Sequence, residues 1–229
     1  MAISGITTSN YVRSTTSPLG TSGPHSFSCW FYTDSVSGIK RLVESKRAAA
    51  GVGRDTYMMQ LNGTGVILLT GSASDNSGNT GTLTTIAINT WYHAVGVWAA
   101  NLDRTCYING AQEGTATAGS WVPASIDSIQ VGHDYANGTI SRNLTGRICE
   151  VAVWQSALTL NDAKALYNGV SPLRIKPEGL RCYYPLETPE RRMNLARNAY
   201  GLTLTGSLST AIHARVIKPS RKDVMKYAA

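Results

Sequence analysis

Fourteen carboxylates and four histidines are the residues of this 229-residue chain whose types could do acid–base chemistry. Cleaving a glycosidic bond needs two carboxyl groups about 5–9 Å apart, most simply at alternate positions of one strand, where both point the same way. No E-x-D-x-E run occurs. Glu44, Asp55, Asp103, Asp127, Asp134 and Glu150 stand far apart in the chain. Only Glu150 sits inside a strongly apolar stretch. A charge at a sheet edge, paired with a residue such as Arg147, is preferred over a ligand or base role there. His25, His93, His133 and His213 are equally scattered, and no Ser or Cys sits in a G-x-S-x-G elbow. His93 reads as a structural hydrogen-bonder, and His133-Asp134 could line a loop. The reading is therefore non-enzymatic.

Cys29, Cys106, Cys149 and Cys182 are widely spaced, with no CxxC and no Cys/His cluster for zinc. Each lies in an apolar run, where a thiol behaves as a small hydrophobe. Buried free thiols in a reducing compartment are the expectation, with two disulfides as the alternative.

Short strands must position these groups. Charged residues make up 15% of the chain, Gly numbers 22, and Ser and Thr crowd the connections, a mix that disfavours a helical protein. In SFSCWFYTD, Phe27, Cys29 and Phe31 alternate with Ser28, Trp30 and Tyr32. Residues 54–72 read as a hairpin around NGTG, and SASDNSGNTGT (72–82) as a polar loop. In TWYHAVGVW, Trp91, His93, Val95 and Val97 are assigned to the core face, with Tyr92 and Trp98 opposite. Trp30, Tyr32, Tyr92 and Trp98, with Trp121, are then the aromatics available for a subunit interface, for cover by the C-terminal segment, or for stacking on a sugar. Thr159 and Asp162 form a capping-box pattern before the only convincing helix, which Gly169 ends.

Charge is segregated. Residues 171–229 carry 11 Lys+Arg against 4 Asp+Glu, while the first 170 residues carry 10 of each. Arg215, Lys218, Arg221, Lys222 and Lys226, together with Arg191, Arg192 and Arg197, form a basic arm and turn suited to an acidic surface. A single aromatic, Tyr227, accompanies the final run, so nucleic acid is not the expected partner. No apolar run of about 18 residues exists to span a membrane, and no signal peptide is expected from MAISGITTSN.

Three stretches resemble one family. TWYHAVGVW…CYING, then IQVGHD, then LTGRICEVAVWQSALTLNDAKALYNG look like the second half of a laminin-G-like, concanavalin A-like jelly roll, with Cys149 where an acid often stands. GLRCYYPLE…ARNAYGLTLTGS resembles the first-strand motif of such domains, although it lies near the end of the chain. The resemblance implies an all-β concanavalin A-like (laminin-G-like) sandwich with one short helix, closed by C-terminal strands. The expected organisation is one domain over 1–213 (core 24–170, completing strands 179–207), then a basic arm, 214–229. Relatives often bind calcium at a rim, and Asp75, Asn76, Asn79, Asp134 and Asn137 are the oxygens on offer. They lack the packed acids of a dedicated site, so no cofactor is expected. The layout looks like that of tailed-phage virion proteins. It implies a decoration protein that cements the major capsid protein, a homo-oligomer (a trimer suits local symmetry points), and a virion location after assembly in the host cytoplasm. The alternative is a glycan-binding lectin or adhesin on a tail or fibre.

Overall fold

The computed structural model describes residues 1–49, 55–73, 76–99, 103–116, 122–188, 195–196 and 200–212. Two antiparallel sheets pack face to face. The first runs β10 (Ala111–Ala116), β9 (Arg104–Ile108), β8 (Trp91–Trp98), β3 (His25–Thr33), β14 (Gly146–Trp154), β1 (Ala2–Ser4), β17 (Ser209–Ala211), with β15 (Leu180–Tyr184) also on β14. The second runs β16 (Thr203–Thr205), β2 (Tyr11–Ser14), β11 (Ser128–Val131), β4 (Lys40–Lys46), β5 (Thr56–Leu61), β6 (Ile67–Ala73), β7 (Asn76–Gly81). A small ribbon, β12 (Asp134–Ala136) and β13 (Thr139–Ser141), stands apart from both.

The inner faces meet in one apolar core. Phe27, Cys29, Phe31, Ile148, Val151 and Val153 of the first sheet belong to the same buried cluster as Val43, Met59, Leu69, Ile129 and Val131 of the second. Gly96 is needed where the sheets come closest, since a Cβ there would lie 2.5 Å from a Leu69 methyl.

The first sheet is also covered on its outside. Val95, Val97, Tyr107, Ala152 and Trp154 pack against Leu158, Ala163 and Leu166, from helix α1 (Leu160–Tyr167) and the turn before it. The Trp154 indole donates to the Ile175 carbonyl at 2.7 Å. The capping box forms as its sequence directs. The Asp162 amide donates to Thr159 Oγ1 at 3.3 Å, and the Thr159 amide donates to Asp162 Oδ2 at 2.8 Å.

A sheet buried on both faces corrects the facing assigned to β8. The register sets Cys29 opposite Ala94 and Phe31 opposite Tyr92. Residues directly opposite share a face, so Tyr92, Ala94, Gly96 and Trp98 point into the core and Trp91, His93, Val95 and Val97 point out. Alternation cannot distinguish the two faces when both are apolar.

Strands near the two ends of the described chain close the sheets. Residues Ala2–Ser4 pair with Ser209–Ala211, and Tyr11–Arg13 pair with Thr203–Thr205. The first fourteen residues thus supply a strand to each sheet, which their composition did not announce. Strand β14 changes partner along its length, with Arg147 and Ile148 on β1 and Val151 to Trp154 on β15. Glu150 stands at that junction with φ of 51°, and the pairing with β3 slips between Cys149 and Ala152. The segment read as a polar loop is partly β7, an edge strand on β6. Its Asn, Ser and Gly carry no apolar period to reveal it. All four cysteines are buried free thiols, and burial raises the thiol pKa of Cys29, Cys106 and Cys182. No helix among the described residues is long and apolar enough to cross a membrane.

Candidate functional site

Two outward-facing regions carry groups that could meet a ligand. The first lies on the outside of the first sheet, where β3, β8 and β14 run together. Tyr32 and Trp91 are directly opposite in register, with ring centroids 5.7 Å apart, and both are half-buried. The Tyr32 hydroxyl donates to Asn89 Oδ1 at 3.0 Å. Asn89 is exposed and held at φ of 59°, with its amide bonded to the Thr33 carbonyl at 2.9 Å. The Arg147 guanidinium lies 4.3 Å from the Tyr32 ring centroid. Trp91 is backed by a small cluster of Ala2, Trp30 and Cys149. The result is an aromatic wall of two rings tilted 56° to each other, with a guanidinium over the Tyr32 ring and an amide at its hydroxyl.

The aromatics singled out from the sequence separate here. Tyr32 belongs to this wall. Trp30 lies on the same outward face but is covered, its ring stacked 5.7 Å from that of Tyr167 on α1. Tyr92 packs on the core, 5.9 Å from the Phe31 ring. Trp98 is 2% exposed, inside the core against Phe27 and Tyr57, so a Trp98→Ala change reports on folding and not on binding. Trp121 lies outside the described residues, as do Arg191, Arg192, Arg197, Arg215, Lys218, Arg221, Lys222 and Lys226.

The second region is the outer face of the second sheet, under the β12–β13 ribbon. Register places Arg13, Gln130 and Glu44 side by side across β2, β11 and β4. Gln130 Oε1 accepts from the Tyr135 amide at 2.9 Å, fixing the ribbon over the sheet. Asp134 serves three cations: Lys46 Nζ at 3.1 Å, and Arg41 and Arg142 at 3.5 Å each. Arg41 Nε also lies 3.4 Å from Glu44 Oε2, and Thr56 Oγ1 donates to Glu44 Oε1 at 3.0 Å. Burial pushes the Glu44 carboxyl pKa up against the pull of Arg41 and Lys46. This geometry brings Glu44 and Asp134 to one guanidinium although they stand 90 positions apart in sequence. The only hint in the sequence is the alternation of Arg41, Glu44 and Lys46 around apolar residues in β4.

Asp134, one of the oxygens considered for calcium, thus faces three cations. Asn137 sits at the ribbon turn with φ of 49°, the αL position Asn tolerates. Asn76 and Asn79 fall in β7, and Asp75 lies outside the described residues. Among the described residues no group of three or more His, Cys, Asp or Glu side chains could hold a metal.

Glu150 differs from its expected setting. It lies in an interior strand and not at an edge, buried, with its carboxylate accepting from the Tyr183 hydroxyl. His25, His93 and His133 are interior groups, and His213 lies outside the described residues. His93 Nε2 meets Ser28 Oγ at 2.9 Å, and burial holds its pKa down to about 3. His25 and His133 are each held down to about 4 by burial.

A two-sheet jelly roll with a helix on one outer face, an aromatic wall beside that helix and a charged outer face opposite has the architecture of a lectin-type sandwich. The chain belongs to the concanavalin A-like lectin/glucanases superfamily, whose laminin-G-type model matches residues 6–164. Comparison with curated proteins returns no match. Among solved structures, a putative carbohydrate-binding protein from Bacteroides ovatus is similar at TM-score 0.63 and 18% identity, over 91% of this chain and 59% of that one. A heptameric pentraxin from Limulus polyphemus is similar at 0.58 and 16%, over 75% and 83%. The sialidase CBM40 module of Ruminococcus gnavus, bound to α2,3-sialyllactose, is similar at 0.57 and 11%, over 73% and 97%. At these identities the likeness establishes the fold.

Proposed function

We propose that this chain is a non-catalytic glycan-binding module that receives a sugar on the Tyr32–Trp91 wall. One observation carries the reading: two neighbouring aromatic rings on an outward face, with the Asn89 amide at the Tyr32 hydroxyl and the Arg147 guanidinium over the Tyr32 ring, which leaves the Trp91 ring as the stacking surface. A pyranose has apolar C–H faces that stack on such rings and hydroxyls that bond to such polar groups. Membership of a lectin-type superfamily supports it, as do two structural neighbours, a putative carbohydrate-binding protein and a sialidase module bound to sialyllactose. Replacing Trp91 by Ala is expected to weaken binding at least tenfold on any glycan that the parent chain retains on an array, with Tyr32→Ala as the companion variant. Parent-like binding by both variants, at parent-like melting temperatures, would sink the proposal.

A second reading keeps the segregation of charge as its observation: a virion decoration protein whose basic end docks on an acidic capsid shell. It expects a copy number in purified particles comparable to that of the major shell protein, by quantitative mass spectrometry. A count far below that returns the lead to glycan binding on a tail or fibre.

A further inference from the structure

Beneath the β12–β13 ribbon, three cations, Arg41, Lys46 and Arg142, share two carboxylates, Asp134 and Glu44. Arg41 is 1% exposed; its Nε faces Glu44 Oε2 at 3.4 Å, and its Nη1 has no hydrogen-bond acceptor. A buried guanidinium N–H without an acceptor is unfavourable, and its usual remedy is a water or an ion. The surroundings select which. Arg142 stands half-buried at the ribbon's far end, in the left-handed region at φ of 53°. Arg13, also half-buried, lies against the Tyr135 ring, its guanidinium carbon 3.7 Å from the centroid. On this face, therefore, the half-buried Arg142 shares the Asp134 carboxylate with the buried Arg41, and the half-buried Arg13 lies across Gln130 from Glu44.

We propose that this face holds an oxyanion site, in which a carboxylate or sulfate group enters at Arg142 and approaches Arg41, with Arg13 on the same face as a further cation. Planar guanidinium forks match such trigonal and tetrahedral oxygens, often two bonds at a time. Tyr135 offers an apolar side to whatever carries the anion. The site sits on the opposite outer face of the sandwich from the Tyr32–Trp91 wall, so it goes beyond the sugar-stacking reading and does not depend on it. Glu44 and Asp134 set its limit, since they repel a second anion and confine binding to the arginine side. His133, in the turn between β11 and β12, is the nearby titratable group, and the charges of Arg13 and Asp134 both act on it.

The test is calorimetric titration of the whole chain with sodium sulfate at constant ionic strength, then with glucuronate, a sulfated oligosaccharide and neutral glucose. Sulfate is expected to bind the parent and to lose at least tenfold in affinity in Arg142→Gln and in Arg13→Gln. Arg13→Lys, which keeps the charge without the fork, guards against a folding artefact and should fall between. Trp91→Ala should bind sulfate as the parent does, which separates this site from the sugar wall. Tighter binding of glucuronate or the sulfated oligosaccharide than of sulfate identifies an acidic glycan as the source. Binding of sulfate alone identifies the free ion. No sulfate or glucuronate binding by the parent at millimolar concentration, or parent-like affinity in both Gln variants, overturns the proposal.

Discussion

Replacing Asp134 by Ala is expected to lower stability by about 3–5 kcal/mol, the cost of removing one partner from a buried ion pair. For a chain of this size that is a drop in Tm of about 10 °C. Lys46 and Arg41 are 0% and 1% exposed. They cannot reach water without the ribbon lifting from β4, so both charges stay and only Glu44 is left to offset them. The Arg142 contact is half-exposed and adds less. Asp134→Asn keeps the shape and one acceptor oxygen, and should fall between the parent and Ala. Urea denaturation at pH 7 reads all three. An Ala variant within 1 °C of the parent would mean that the ribbon is held by other contacts and that the cluster is not the clamp described.

Stability is expected to fall steeply as pH drops from 6.5 towards 4. His25, His93 and His133 have pKa values depressed from 6.5 to about 4, 3 and 4 by burial. The unfolded chain therefore takes up protons near pH 6.5 that the folded chain refuses, and their stabilising contribution, complete above 6.5, is lost through that window. Each histidine contributes about 1.4 kcal/mol per pH unit between its two values, so the three together approach about 4 kcal/mol per unit. Glu44 acts in the other direction. Its raised carboxyl accepts a proton more readily when folded and offsets part of the loss. Unfolding free energies at pH 7, 6 and 5 give the slope, and His93→Gln should remove about a third of it. A flat profile would show that these rings are protonated in the folded state.

The sandwich was legible in the chain because hairpins and caps are local. NGTG between residues 61 and 66, the Asn-Gly turn after β9 and the Thr159–Asp162 box each specify their element within a few residues. The C-terminal strands were legible from GLRCYYPLE and its sequel. The facing of β8 was not, because both of its faces are apolar and only long-range packing distinguishes them. Strand β7 was hidden for the opposite reason, having no apolar side chains to count. The site divided in the same way. Tyr32 was visible as an aromatic on an alternating strand. Its companions Asn89 and Arg147 come from a loop and from β14, far away in sequence. The Glu44–Arg41–Asp134 cluster depends on a ribbon folding over a sheet, and no spacing rule encodes that.

The pairing of the first strands with the last has a consequence for manufacture. On the ribosome, β1 and β2 emerge at the start, yet β17 and β16 are about 200 residues behind them. At typical elongation rates of about 5–20 residues per second, that is a delay of about ten to forty seconds. Strand β14 reaches β1 sooner and β11 reaches β2 sooner, so each early strand gains one neighbour while its other edge stays open. During that interval a nascent chain carries two unprotected strand edges, and a neighbouring copy on the same messenger can pair with them. Yield in a recombinant host should then depend on the rate of elongation and on the spacing of ribosomes along the messenger more than on the stability of the finished domain.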